Sequence, residues 1–351
     1  MARWRGGAVA RMLHGLCIPQ PWSLPMSAPR LNRRHFTSQL GAAALALSAL
    51  PARAAWPEKP IRLVVTFPAG GASDIVARLM ADQLARKLGQ AVVVDNRPGA
   101  GGSVGGQLVH QASPDGYTLM LSNSTPISIG PFALDKQPYD PVEGFTHVAM
   151  LGTAPCVLMA TPSAPIRTIA DLESQARKTG RLDFGSGGPA SIGHIYGELM
   201  RKSMGVNLVH VPYRGGAPMT TDLMSGVIPV GIDVLTAYVP YFRSGQLVPL
   251  AVTSAARSPL VPEVPSVVEF GYSKLVLDNF FGLSGPPGLP ADTVARLNAA
   301  CNEVLALPDV KRKMLELGVS TQAGSSAAFS RYVREQVTLL APTVKAAGTR
   351  L

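Results

Sequence analysis

The sequence predicts an α/β fold built from two lobes, and three observations carry that prediction. Short apolar runs alternate with amphipathic helical stretches from Ile61 to Val252, the pattern of βα units in a largely parallel sheet. The alternation stops at an irregular, proline-rich stretch from Pro126 to Glu143 and then starts again, which gives two such series. The segments beyond residue 252 read as mostly helical, without the strands for a third sheet, so they are expected to pack back on the first lobe. The resulting domains are 55–155 with 252–351, and 156–251, each large enough for its own core.

Residues 1–54 precede these lobes and hold seven arginines with no lysine, aspartate or glutamate. Asn32-Arg33-Arg34-His35-Phe36, an apolar run from Leu40 to Leu50 and a small-x-small site at Ala52-Arg53-Ala54 have the layout of a cleaved export signal. The Arg33-Arg34 pair makes it twin-arginine-like, with ordinary Sec export as the alternative. The apolar run is far shorter than the roughly 20 residues of a membrane span. Residues 1–25 make a long n-region containing Pro and Trp, so Met26 is a second candidate start. The formal charge of +10 sits mostly in this leader, and the remainder has 25 basic against 22 acidic side chains. That near-balance removes the electrostatic case for nucleic acid. Beyond the leader only Cys156 and Cys301 remain, which is no disulfide framework; both are expected as buried thiols, with a single bridge as the alternative.

In chain order, Ile61 to Val65 is a near-continuous apolar strand followed by the glycine turn Phe67-Pro68-Ala69-Gly70-Gly71-Ala72-Ser73-Asp74. A helix follows with Ile75, Val76, Leu79, Met80, Leu84 and Leu88 at helical spacing, Ser73 or Asp74 as cap and Gly89 as stop. Val92 to Val94 is a second strand, Asp95 to Gly102 a glycine loop, Val104 to Gln111 a helix, and Tyr117 to Leu121 a third strand ending in Ser122-Asn123-Ser124-Thr125. His147 to Leu151 and Cys156 to Ala160 read as two strands around Pro155. The second series has strands at 182–184, 208–211, 230–232 and 247–252, with helices near 168–178, 192–204, 219–225 and 238–244. Helices at 291–306, 310–317 and 327–347 complete the chain. In parallel sheets ligands bind beyond the carboxyl ends of the strands, and three polar, glycine-rich loops of the first series share that rim.

Several motifs suggest chemistry but lack its context. Gly101-Gly102-Ser103-Val104-Gly105 fits the nucleophile elbow, yet Asp95 to Ala100 separate it from the preceding strand. Gly185-Ser186-Gly187-Gly188-Pro189-Ala190 fits a dinucleotide fingerprint, but no acidic residue ends the next strand. The four histidines outside the leader, His110, His147, His194 and His210, are scattered; neither a metal site nor a cofactor is expected. His194 stands out because it lies in the first turn of a helix behind a glycine loop. Arg97 and Arg214 could clamp a carboxylate, although each adjoins a turn where a structural hydrogen bond is an equal reading. Asp74 already neutralises part of the positive end of its helix, so it either caps the helix or meets a ligand ammonium group.

The turn at 67–74, Asp95-Asn96-Arg97-Pro98-Gly99-Ala100-Gly101-Gly102, Pro114-Asp115-Gly116-Tyr117-Thr118-Leu119 and His210-Val211-Pro212-Tyr213-Arg214-Gly215-Gly216 together resemble the solute receptors of tripartite tricarboxylate transporters, the Bug-type periplasmic binding proteins. The likeness runs from about Trp56 to the C-terminus. It departs at Ala69, since Pro-Gly-Gly is usual where this chain has Pro68-Ala69-Gly70-Gly71, and after Phe281. The resemblance implies a two-lobed Venus-flytrap fold with the ligand in the cleft. It also implies a monomeric periplasmic receptor that passes a small organic anion, a carboxylate, to a membrane permease. Carried over, the ligand residues are Phe67, Ala69, Gly70, Gly71 and Ser73, with Asn123 and Thr125 beside them and Gly187, Ser191 and Asp233 from the second lobe. The rival expectation is an exported α/β hydrolase using Ser103 or Ser191.

Overall fold

The computed structural model describes residues 56–347. The predicted export signal, its cleavage site and the alternative start at Met26 lie outside the described residues.

Strand β1 (Ile61–Val65) leads into helix α1 (Ala72–Leu88), whose Val76, Met80, Leu84 and Leu88 repeat every fourth residue and form the buried stripe, with Ala77 and Ala81 beside it. Gly89 ends the helix in the left-handed conformation, with its N–H on the Ala85 carbonyl. The N-cap differs from expectation: it is Gly71, with no side chain capping, while Ser73 and Asp74 lie inside the first turn. β2 (Val92–Asn96), α2 (Ser103–His110) and β3 (Thr118–Asn123) follow. Both β2 and β3 pair with β1 in parallel, as βαβαβ connectivity requires. β3 runs two residues further than predicted, and the stretch expected to be irregular begins with a π-helical turn at Thr125–Ile129 and the short helix α3 (Gly130–Ala133).

The two strands expected around Pro155 are one, β4 (Thr146–Ala160). Proline lacks the N–H that ladders use, but here it falls where β4 changes partners. Before Cys156 it pairs with β9 (Asp278–Gly285), and from Cys156 onward with β7 (Val230–Val234) and, one residue later, β8 (Val248–Val252). The second series adds α4 (Ile169–Thr179), capped reciprocally by Thr168 and Asp171, then β5 (Leu182–Ser186), α5 (Ile192–Met204), β6 (Leu208–Pro212), α6 (Gly216–Met224) and α7 (Val239–Arg243). Asp233, expected just past a strand, lies within β7.

The C-terminal segment, expected to be mostly helical, also carries two strands that join the existing sheet. β9 sits between β3 and β4, antiparallel to both, and the short β10 (Ser320–Thr321) pairs with β4. Helices α8 (Ala291–Ala306), α9 (Pro308–Glu316) and α10 (Ser326–Ala347) follow β9, and α8 and α10 pack on β4. The sheet order is β2-β1-β3-β9-β4-β7-β5-β6, a single mixed sheet in which β4 belongs to both halves. Cys156 and Cys301 are buried free thiols.

Candidate ligand site

The loop after β1 is held from three sides. Asn96, at the end of β2, donates from Nδ2 to the Phe67 carbonyl (2.9 Å) and to Asp74 Oδ1 (3.0 Å). Asp74 Oδ2 accepts the N–H of Gly70 (3.0 Å) and the Nε–H of Arg78 (2.9 Å). Burial alone would raise the Asp74 pKa, but the bonds from Arg78, Gly70 and Asn96 outweigh it and hold the carboxyl below its ordinary value. Asp74 is therefore a brace on the loop before the helix, and the first-turn N–H groups of α1 are left without a side-chain cap. From β3, Asn123 donates to Ser73 Oγ (2.8 Å) and accepts the N–H of Thr125 (2.9 Å), which ties the 122–125 segment to the same turn.

The loop after β5 faces this turn. Ser191 caps α5 by accepting the His194 N–H (3.2 Å) and donates its own hydrogen to Ser186 Oγ (3.0 Å). His194 Nδ1 accepts the N–H of Ala190 (3.1 Å), a non-glycine residue held at φ 53°. The His194 ring stacks on His210 at 3.7 Å, and His210 Nε2 bonds Ser186 Oγ (2.7 Å). Burial lowers the pKa of His194 to about 4 and that of His210 to about 3, so both rings are neutral near pH 7.

Between the two loops lies a chamber of about 50 Å³. Phe67, Ala69, Gly71, Ser73, Asn123, Thr125, Gly187, Ser191 and Asp233 all line it, as do Pro68, Ile192 and the start of α6. Gly70 does not; its φ of 83° turns its N–H toward Asp74 instead. Asp233 enters from β7, with Oδ1 accepting the Val234 N–H (2.8 Å) and Oδ2 accepting the Tyr238 O–H (2.9 Å). Burial raises its pKa despite those two bonds. Arg97 is absent from the lining because it pairs with Asp95, whereas Arg214 is on the chamber wall. Sequence reasoning missed Asn279, which is 2% exposed, lines the chamber and makes no side-chain hydrogen bond to any described residue. The signal was unreadable without β9, the strand that carries it there.

The hydrolase expectation finds no support here. Ser103 is buried at the start of α2, and no histidine bonds it: His110 is on Gly144, His147 on Ser284 and Pro141, His194 on Ala190 and His210 on Ser186. The Ser191 hydroxyl is used as a helix cap and a bond to Ser186. Among the described residues there is no cluster of three or more His, Cys, Asp or Glu able to hold a metal ion.

A chamber framed by strand-end loops from both halves of a mixed sheet is the setting of a binding protein, and the family comparison decides which kind. The model of the family described as tripartite tricarboxylate transporter family receptor matches residues 76–349. The chain belongs to this family. The receptor is thus a periplasmic solute-binding protein, in a family of binding proteins rather than enzymes. It is 37% identical over 292 residues to the UPF0065 protein in the tcbD–tcbE intergenic region of a Pseudomonas species, covering 82% of this chain and 87% of that one. It is 32% identical to BugT of Bordetella pertussis, covering 84% and 91%. Among solved structures, R. palustris Rpa4515 with adipate superposes with a TM-score of 0.81 at 33% identity, covering 85% of this chain and all of that one. MatC from Rhodopseudomonas palustris with bound malate gives 0.78 at 28% identity, covering 82% and 100%.

Proposed function

We propose that the receptor captures a small organic carboxylate in the chamber between the 67–74 and 187–191 loops and releases it to the membrane permease of a tripartite transporter. The carrying observation is the uncapped first turn of α1, whose N–H groups border the chamber beside Ser73, Asn123 and Thr125. Such groups carry partial positive charge and accept an anion without a counter-cation. Phe67, Ala69, Gly71, Ser73, Asn123, Thr125, Gly187, Ser191 and Asp233 form the binding wall, and the Gly70 N–H, held by Asp74, keeps the turn in shape. The adipate and malate in the two R. palustris neighbours support the ligand class.

Residues 55–155 with 252–351 form one lobe and 156–251 the other, and the lobes close on the ligand with β4 crossing between them near Pro155. The receptor acts as a monomer, without enzymatic activity, after export by a twin-arginine-like signal cleaved near Ala54. A thermal-shift screen with di- and tricarboxylates, aromatic acids and acidic amino acids tests the reading. Stabilisation by at least one acid, with the acid recovered unchanged, is expected; a screen in which none raises the melting temperature contradicts it.

A further inference from the structure

The chamber of about 50 Å³ holds only about four water-sized groups, since each needs roughly 10–15 Å³. That is room for a carboxylate and its first carbons, so a longer ligand must cross the threshold. Beyond the threshold lies a second cavity of about 340 Å³, which shares Phe67, Pro68, Gly187, Arg214 and Gly215 with the chamber. Its remaining wall is the segment 99–102 with Thr66, Pro98, Gly188, Pro189 and Tyr213. Among the residues lining this vestibule Arg214 alone carries a charge. Arg214 is exposed and makes no hydrogen bond or ion pair with any described residue. The other arginine near the rim, Arg97, is already neutralised by Asp95. The loop bearing Arg214 is itself fixed, with the Tyr213 N–H on the Ser186 carbonyl and the Gly215 N–H on the Gly187 carbonyl, both at 3.2 Å.

Resting on the carboxylate reading above, we propose that Arg214 is a specificity-determining residue that receives the second acidic group of a dicarboxylate whose first carboxylate occupies the chamber. A guanidinium presents a planar fork of donors that matches a carboxylate in two bonds, and no acid among the described residues is paired with it. The chamber thus recognises any carboxylate, and the threshold selects those with a second one.

Calorimetric titration with matched pairs of acids tests this: butanoate with succinate, hexanoate with adipate, octanoate with suberate. In the wild type at low salt, the best dicarboxylate binds about 10- to 100-fold more tightly than its monocarboxylate partner, the gain expected of a charge-assisted pair. In Arg214→Gln that ratio collapses toward one, and Arg214→Lys restores only part of it. A ratio that survives Arg214→Gln, or a wild type that shows no preference, overturns the assignment while leaving the carboxylate receptor intact. If no acid of either kind binds the wild type, the carboxylate reading falls and the assignment with it.

Discussion

The turns after β1 and after β5 solve one problem with different chemistry. In each, the third residue of the following helix reaches back four positions to an N–H of the loop: Asp74 to Gly70 in the first, His194 to Ala190 in the second. The first brace is an ionised carboxylate supported by Arg78 and Asn96; the second is a neutral imidazole stacked on another. The helix starts differ as well, since α1 has a glycine N-cap and α5 has Ser191. The first turn therefore leaves its amides open to an anion, whereas the second spends one of its own on Ser191 and offers the chamber mainly shape. On the proposed reading, the turn that holds the anion and the turn that faces it differ in chemistry although their geometry is alike.

Substitutions at the helix-start glycines should break this contrast most strongly. A Cβ on Gly193 in α5 would lie 2.1 Å from the Ile232 carbonyl oxygen, so the backbone itself must move. Gly193→Ala is expected to cost about 3 kcal/mol or more, read by denaturant unfolding. Gly71 has ordinary negative φ and nothing nearer than the Pro68 carbonyl at 3.8 Å, so Gly71→Val should fold with less than about 1 kcal/mol lost. Its branched side chain enters the chamber and should weaken ligand binding on the order of 100-fold, because the space is only a few groups wide. Unchanged affinity in a folded Gly71→Val protein would remove that turn from the site.

Acid should separate the two braces. His194, His210 and His147 are neutral in the folded protein, with pKa values lowered by burial to about 4, about 3 and about 4. An unfolded histidine takes up a proton below about 6.5, so stability falls with pH from there until the folded values are passed. His147, 2% exposed, accounts for about 3 kcal/mol of this. Asp74, depressed instead, stabilises above its ordinary carboxyl pKa and loses that contribution only below it. Hydrogen exchange at pH 5, corrected for the intrinsic rate, should thus show a lower protection factor for the Ala190 amide than at pH 7, because an opened His194 takes up a proton there, beside an unchanged protection factor for Gly70. An equal loss of protection at both would mean that the braces do not differ. The smallest effect is expected at the cap: Ser191→Ala should cost about 1 kcal/mol of stability in a thermal melt.

The glycine turns and the helices behind them were legible because glycine at a strand end followed by a period of 3.6 has few other meanings. β9 was illegible for a physical reason. Gly282 breaks its apolar pattern, yet a Cβ there would fall 2.1 Å from the Phe329 ring, so the glycine is the socket for an aromatic from α10. With both faces buried, the strand shows no alternation either. Losing β9 hid Asn279 and left Pro155 looking like a break between two strands rather than a point where one strand changes partners. The site residues carried over by resemblance converge on one chamber except Gly70, and no local pattern could say that its amide turns inward to Asp74.

The most direct measurement is a crystal structure of the receptor with the most stabilising acid from the thermal-shift screen. A carboxylate of that acid should lie in the chamber within hydrogen-bond distance of the α1 first-turn amides, with Gly187 and Ser191 closing over it. An acid bound elsewhere on the receptor, with the chamber holding only water, would contradict the assignment of the 67–74 turn as the anion cradle.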